Sequence, residues 1–244
     1  MRRIRLHVDL PLAKGATLDL PMAAAEHAIR VLRLREGDAV TLFNGDGHDY
    51  QGHLDTCNRT RARVFLESVA AVDRESQLPL VLAQAIARGE KMDWVVQKAT
   101  ELGVMGIVPL NSERSEVRLD ARRADKRHKH WQAVAISACE QSGRACVPWI
   151  DPPRNLADWL DSLGEMSQLR LALLPDAQMR VRDLSPSTSG AILAIGPEGG
   201  WGDRDLAALH AAKFTGLNLG PRVLRTETAG PAALAALQAL HGDL

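Results

Sequence analysis

The sequence predicts an α/β fold: a small, mostly β amino-terminal module, then a larger domain built on a parallel sheet. Three observations carry this. The first 70 or so residues hold short apolar runs bounded by turn residues. The composition changes after the polar stretch Asp73-Arg74-Glu75-Ser76-Gln77, which reads as a linker between domains at 1–72 and 73–244. From Leu78 onward, strand and helix patterns alternate. Such alternation predicts a parallel sheet with ligand chemistry at the carboxyl ends of its strands.

Each element follows from a local pattern. Residues 4–9 read as a strand. Residues 21–34 read as a helix, with Ala25, Ile29 and Leu32 at helical spacing. Residues 39–43 and 49–55 flank Asn44-Gly45-Asp46-Gly47, a hairpin signal made of residues that tolerate positive φ. Residues 61–69 alternate polar and apolar, as a half-buried strand does. These elements suggest a small barrel or curled sheet with one helix. In the second domain, residues 78–86 form a buried-strand run. Met92, Val95, Val96, Ala99 and Leu102 then line one helix face that stops at Gly103. Residues 104–110 are the next strand. A long helix covers about 121–142, with Trp131, Val134, Ala135 and Ala138 inward and Gly143 beyond its end. Asn155 and Asp158 resemble an N-cap pair opening a helix. Residues 169–175, 191–197 and 214–220 are three more strands, and the last helix is predicted over 228–241.

Composition excludes several classes. The 244 residues are 45% hydrophobic and 25% charged, which rules out global disorder, while 4% aromatics requires an aliphatic core. No apolar run approaches the ~20 residues that cross a bilayer, and charged and polar residues interrupt any export signal after the basic start. Cys57, Cys139 and Cys146 are too scattered for a disulfide framework, so a cytoplasmic protein with reduced thiols is expected. Thirty Lys/Arg balance thirty Asp/Glu, so net charge alone does not call for a nucleic acid. A local basic run (Arg118, Arg122, Arg123, Lys126, Arg127, Lys129) leaves one open, although on charge alone a solvated helix face is the preferred reading.

Two segments carry candidate chemistry. A buried strand ends at Ile195, Gly196-Pro197-Glu198-Gly199-Gly200 follows, and a helix starts near Asp203. Its bare backbone permits close approach by a ligand's polar edge. It is neither a P-loop nor a dinucleotide fingerprint, and a purely structural strand-to-helix turn remains an equal reading. The second segment is Leu219-Gly220-Pro221 with Arg222, Leu224 and Arg225, then Glu227-Thr228 before an Ala-rich helix. Thr226 or Thr228 reads as its cap, and Glu227 suits the helix dipole. Arg225, in a loop between two apolar elements, is less easily a plain surface cation. Two Gly-Pro loops after neighbouring strands would form one cleft. Arg144, just past Gly143, reads on its own as a charge stabilising a helix end. The pattern shows no GxSxG or HExxH. His128 and His130 point apart on a helix, Cys139 and Cys146 form no CxxC, and Asn44–Gly47 lacks the trailing Glu of a calcium loop. No metal is expected.

Five motifs in order carry a resemblance: residues 27–34 with Gly37-Asp38, Lys98–Gly103, Ser112–Ser115, Glu140–Arg144, and the pair Gly196–Gly200 with Leu219–Ala229. Together they resemble the RsmE family of the SPOUT methyltransferases over nearly the whole chain. The resemblance implies a PUA-like RNA-binding β-barrel at 1–72 and a SPOUT domain at 73–244 closed by a trefoil knot. It implies a homodimer with a shared active site, S-adenosylmethionine (SAM) as donor, and N3 of a uridine in 16S ribosomal RNA, within the 30S subunit, as acceptor. Leu174, Gly196, Pro197, Glu198, Gly199, Gly200, Leu219, Gly220 and Leu224 would hold the cofactor. Arg225 would stabilise charge on the uracil, and Glu227 would orient Arg225 or relay the proton. Arg5, Arg30, Arg33, Arg114 and Arg144 would contact RNA. Gly202 departs from the family, which often has Ser or Thr opening that helix. A catalytically degenerate assembly factor and a ribose 2′-O methyltransferase are the alternatives.

Overall fold

The computed structural model describes residues 4–58, 60–117, 119–164, 167–185 and 190–244. Arg118 of the basic run lies outside them. The chain forms two compact units, residues 1–75 with 136–147, and residues 76–135 with 148–244. The sequence reading placed a contiguous boundary at residue 72, whereas the first unit also takes in a segment from the middle of the chain.

The first unit holds β1 (Ile4–His7), β2 (Thr17–Asp19), α1 (Met22–Glu26), a π-turn at His27–Val31, β3 (Ala39–Phe43), β4 (His48–Cys57) and β5 (Ala62–Ala71). One sheet runs in the order β1-β3-β4-β5-β2, with β1 parallel to β3 and the other pairs antiparallel. The short β2 carries no alternation long enough to read from sequence. The helix predicted to residue 34 ends earlier: Leu32 N–H reaches back to the His27 carbonyl, and Arg33 takes a left-handed φ of 56°. Leu6, Leu42, Leu54, Val64 and Leu66 fill the core with Ala25 and Ala28.

Residues 136–147 are fixed to this sheet by buried polar contacts. Arg5, 8% exposed, pairs with Asp49 at 2.6 Å, donates to the Cys139 and Arg144 carbonyls, and lies 4.4 Å over the Phe43 ring. Arg144, 6% exposed, meets the Glu75 carboxylate at 2.6 and 3.0 Å. Cys139, Cys146 and Cys57 are free thiols, and burial pushes that of Cys139 up to about 12. This makes Cys139 a packing residue rather than a nucleophile.

The second unit contains β6 (Leu80–Ala85), α2 (Lys91–Glu101), β7 (Gly106–Asn111), β8 (Trp149–Ile150), β9 (Arg154–Asn155), α4 (Leu156–Ser162), β10 (Leu169–Leu173), β11 (Ala191–Ile195), α5 (Asp203–Ala211), β12 (Thr215–Leu217) and α6 (Thr226–His241); α3 (Ala121–Ser142) begins in it. The strands form one parallel sheet in the order β12-β10-β11-β6-β7-β8, with β9 also on β7. Val81, Ala83, Val108, Ala172 and Ala194 pack on one face against Leu156, Trp159 and Leu209 from α4 and α5. On the other face α2 packs with α6, and Gly230 brings α6 so near the sheet that a Cβ there would lie 3.0 Å from Gln84 Oε1 and 3.4 Å from Leu82. The predicted cap of α4 is corrected: Asn155 donates to Asp158, and its side chain caps no backbone N–H.

Candidate functional site

The carboxyl ends of β6, β7, β10, β11 and β12 all face one edge of the parallel sheet, where open α/β folds bind ligands. The loops that leave β7 and β11 at this edge touch. After β11, Gly200 N–H donates to the Pro197 carbonyl at 2.9 Å, and Gly200 takes φ 70°, a conformation that favours glycine. Gly196 lies against the buried Trp201, where a Cβ would come within 3.2 Å of the indole. After β7, Arg114 is exposed and its Nη1 donates to the Gly199 carbonyl at 3.4 Å. After β12, Gly220 takes φ 122° and its N–H donates to Asn218 Oδ1 at 2.6 Å.

The two glycine loops do not follow neighbouring strands, since β10 stands between β11 and β12. They are joined instead through the start of α6. That helix begins at residue 226, two residues before the predicted start, with Arg225 as its N-cap. Thr226 is therefore inside the helix, and its hydroxyl donates to the Gly196 carbonyl at 2.6 Å. The same hydroxyl accepts from Nε2 of the fully buried Gln84 at 2.9 Å. Neither threonine provides a side-chain cap; the Arg225 carbonyl accepts from Thr228 and Ala229 N–H.

Leu219, Gly220 and Leu224 line a cavity of about 320 Å³ with Val181, Asn218, Ala232 and Ala236. Leu174 stands beside this loop, with its N–H on the Leu217 carbonyl at 2.9 Å. The Gly196–Gly200 turn does not line the cavity. A volume near 300 Å³ is at the small end for a small-molecule site, and its lining, apolar apart from Asn218, Arg180 and Arg182, suits a nucleoside. Gln84 Oε1, Asn111 Oδ1 and Trp201 Nε1 are each buried without a hydrogen-bond partner among the described residues. Unsatisfied buried polar atoms are uncommon in folded proteins, and these three stand at the sheet edge or in the segment that follows it.

Lys91, which the sequence reading missed, reaches across the loops. Its ammonium is 3.3 Å from Glu198 and 3.4 Å from Glu227. Glu227 was expected to orient Arg225; it pairs with Lys91 instead. Partial burial acts to raise the Glu198 carboxyl, but backbone hydrogen bonds, including the Arg88 N–H, and the Lys91 ammonium outweigh it and hold the group below the usual range. Position 91 opens a helix, where a lysine gives no signal in sequence. Arg225 is exposed, and its side chain has no hydrogen-bond or ion-pair partner among the described residues.

Of the arginines expected to meet RNA, Arg30, Arg33 and Arg114 are exposed. Arg30 is loosely paired with Glu26 at 3.4 Å. Arg5 and Arg144 are corrected: their side chains are themselves nearly buried and paired inside the first unit, Arg5 with Asp49 and two carbonyls and Arg144 with Glu75. Among the described residues no group of three or more His, Cys, Asp or Glu is placed to hold a metal ion, and no helix is long and apolar enough to cross a membrane.

Comparison with known proteins adds three findings. Residues 74–238 match the family model of an RNA methyltransferase domain, and residues 21–64 match that of an RNA methyltransferase PUA domain. The ribosomal RNA small subunit methyltransferase E of Buchnera aphidicola (subsp. Schizaphis graminum) is 30% identical, over 98% of this chain and 97% of that protein. Two solved structures cover both chains completely. One is the ribosomal RNA small subunit methyltransferase E of Neisseria gonorrhoeae bound to SAM, at 38% identity and TM-score 0.92. The other is a Legionella pneumophila chain in complex with SAM, at 39% identity and TM-score 0.96.

Proposed function

The chain belongs to the RNA methyltransferase family, and on that premise we propose that it moves the methyl group of SAM to N3 of a uridine in 16S ribosomal RNA. The observation that carries this reading is the placement of Arg225. Its guanidinium, without a partner among the described residues, stands at the start of α6, and the next residue is hydrogen-bonded to the Gly196 turn.

When bound, SAM supplies an electrophilic methyl group on a sulfonium. This chain's own residues must then position an acceptor in line and manage one proton. Uridine N3 carries a hydrogen, so its lone pair is free only once that proton leaves. Arg225 stabilises the resulting negative charge on a uracil carbonyl oxygen, as oxyanion donors do. Glu227, held by Lys91 and two residues after Arg225, takes the proton-handling role. Lys91 also offsets the charge of Glu198 and Glu227, so the pocket does not hold the cationic ground state too firmly. Leu174, Leu219, Gly220 and Leu224 hold the adenosine part, with Gly196–Gly200 supplying main-chain groups. Arg30, Arg33 and Arg114 contact phosphates.

The reading includes a trefoil knot in the carboxy-terminal domain, which the family resemblance supports, and a cytoplasmic location at the 30S subunit. It includes a homodimer as well. Val223, 81% exposed beside the cavity-lining Leu224, and Leu240 near the end of α6 are apolar surface that a second copy would cover. The test is methylation of 30S particles from a strain lacking the enzyme, followed by nucleoside mapping. N3-methyluridine at one 16S position is the expected product. A 2′-O-methylated nucleoside, or no transfer, overturns the assignment.

A further inference from the structure

Gly202 opens α5 with no side chain of its own. A cap residue normally offers an oxygen to the N–H of the second or third helical residue. Here that oxygen comes from another segment, 91 residues away: Glu113 Oε2 accepts from Arg204 N–H at 3.2 Å. The contact is reciprocal. The buried Asp205 carboxylate accepts from Glu113 N–H at 3.1 and 3.2 Å and from Gly202 N–H at 3.1 Å. A capping box is thus assembled between two loops instead of within one helix. The glycine is what makes room for it. An ideal Cβ on Gly202 would lie 2.1 Å from Glu113 Oε2 and 2.9 Å from Glu113 Cβ. The backbone of Gly202, φ −77° and ψ 167°, is open to any residue, so space and not conformation sets the choice.

The loop that Glu113 belongs to is closed on itself. Ser112 N–H donates to Ser115 Oγ at 2.9 Å, and Ser115 is buried. Arg114 therefore has little freedom of its own. It stands between the clamped Glu113 and the buried Ser115, with its guanidinium on the Gly199 carbonyl. We infer that Glu113 is a positioning residue for methyl transfer: by capping α5 from another loop it holds Arg114 at the glycine turn, facing the phosphate backbone of the RNA substrate. This rests on the reading that the sheet edge is the methyl-transfer site.

The role separates from simple helix stability in a four-variant series. Each variant is assayed for Tm, for SAM affinity by calorimetry, and for KM on undermethylated 30S particles. Glu113→Ala lowers Tm by about 2–4 °C, the size expected for a lost cap. It also raises KM for the particles roughly tenfold, as loss of one charge-assisted contact does, with SAM affinity within about twofold. Pairing Gly202→Ser with Glu113→Gly, which clears both the carboxylate and the Cβ 2.9 Å from the new side chain, gives α5 a cap of its own. Tm returns, but the raised KM stays, because the Arg114 loop is still untethered. Glu113→Gln keeps an acceptor oxygen and restores both. Arg114→Ala reproduces the KM rise at unchanged Tm. If the double variant recovers KM together with Tm, or Arg114→Ala leaves KM unchanged, Glu113 acts through α5 alone and the inference fails. Inactivity of the parent enzyme on 30S particles would instead sink the functional reading beneath it.

Discussion

The Thr226 hydroxyl donates a 2.6 Å hydrogen bond to the Gly196 carbonyl, joining the first residue of α6 to the end of β11. Because it also accepts from buried Gln84, one small side chain links three segments of the sheet edge. Thr226→Val keeps the shape and removes both bonds. We expect a loss of about 1–3 kcal/mol, since Gln84 Nε2 and the Gly196 carbonyl each lose a partner. Weaker SAM binding should accompany it, whereas Thr226→Ser should stay near the parent. Chemical denaturation with calorimetry checks both.

Lys91 holds two carboxylates, one from the turn after β11 and one from the first turn of α6. Lys91→Met frees both and leaves like charges facing the methyl donor. The expected result is a fall in kcat of up to about a hundredfold through lost positioning, with partial recovery in Lys91→Arg. An unchanged kcat in the methionine variant argues against the role.

Arg225→Ala leaves the start of α6 intact, because the cap there is the Arg225 carbonyl. Stability should change by no more than about 0.5 kcal/mol. Turnover with saturating substrate should drop by about 10²–10³, the usual cost of one oxyanion donor. Single-turnover kinetics separates this from an effect on binding.

Arginines with the same formal charge should differ in effect. Arg144→Ala removes two charge-assisted hydrogen bonds to the partly exposed Glu75 and should cost about 1.5–3 kcal/mol. Arg33→Ala should leave stability nearly unchanged and flatten the salt dependence of RNA binding by about 0.7–0.9 per lost phosphate contact. Equal slopes for Arg33→Ala and the parent would remove Arg33 from the interface.

Glu140 gives a pH test. Burial raises its carboxyl above the usual 4.5, against the opposing hydrogen bond from His7 N–H and the nearby His27 and Arg5. The folded state therefore binds this proton more readily than the unfolded one. Ionised Glu140 costs stability above its folded pKa, and that cost is relieved as pH falls through that pKa toward the unfolded value. Glu140→Gln keeps the acceptor for His7 and should be neutral or stabilising at pH 7, with the benefit vanishing in acid. Melting curves from pH 4 to pH 8 check the sign.

Local chemistry alone determined much of this protein. The 3.6 periodicity of α2, the buried runs of β6, β7 and β11, and the stop at Gly143 are encoded within a few residues, because burial of one face and the need for positive φ act over that range. The two glycine turns and Arg225 were legible for the same reason. Tertiary structure decided what those residues touch. Arg5 and Arg144 look like any surface cations until Asp49 and Glu75, 44 and 69 residues away, take up their charges. Lys91 gains meaning only because the sheet brings Glu198 and Glu227 beside it. Gly202 looks like a weak cap until Glu113 fills the space that its missing Cβ leaves. Electrostatic and steric partners act through space across a few ångströms, and only the folded sheet sets which distant residues share that space.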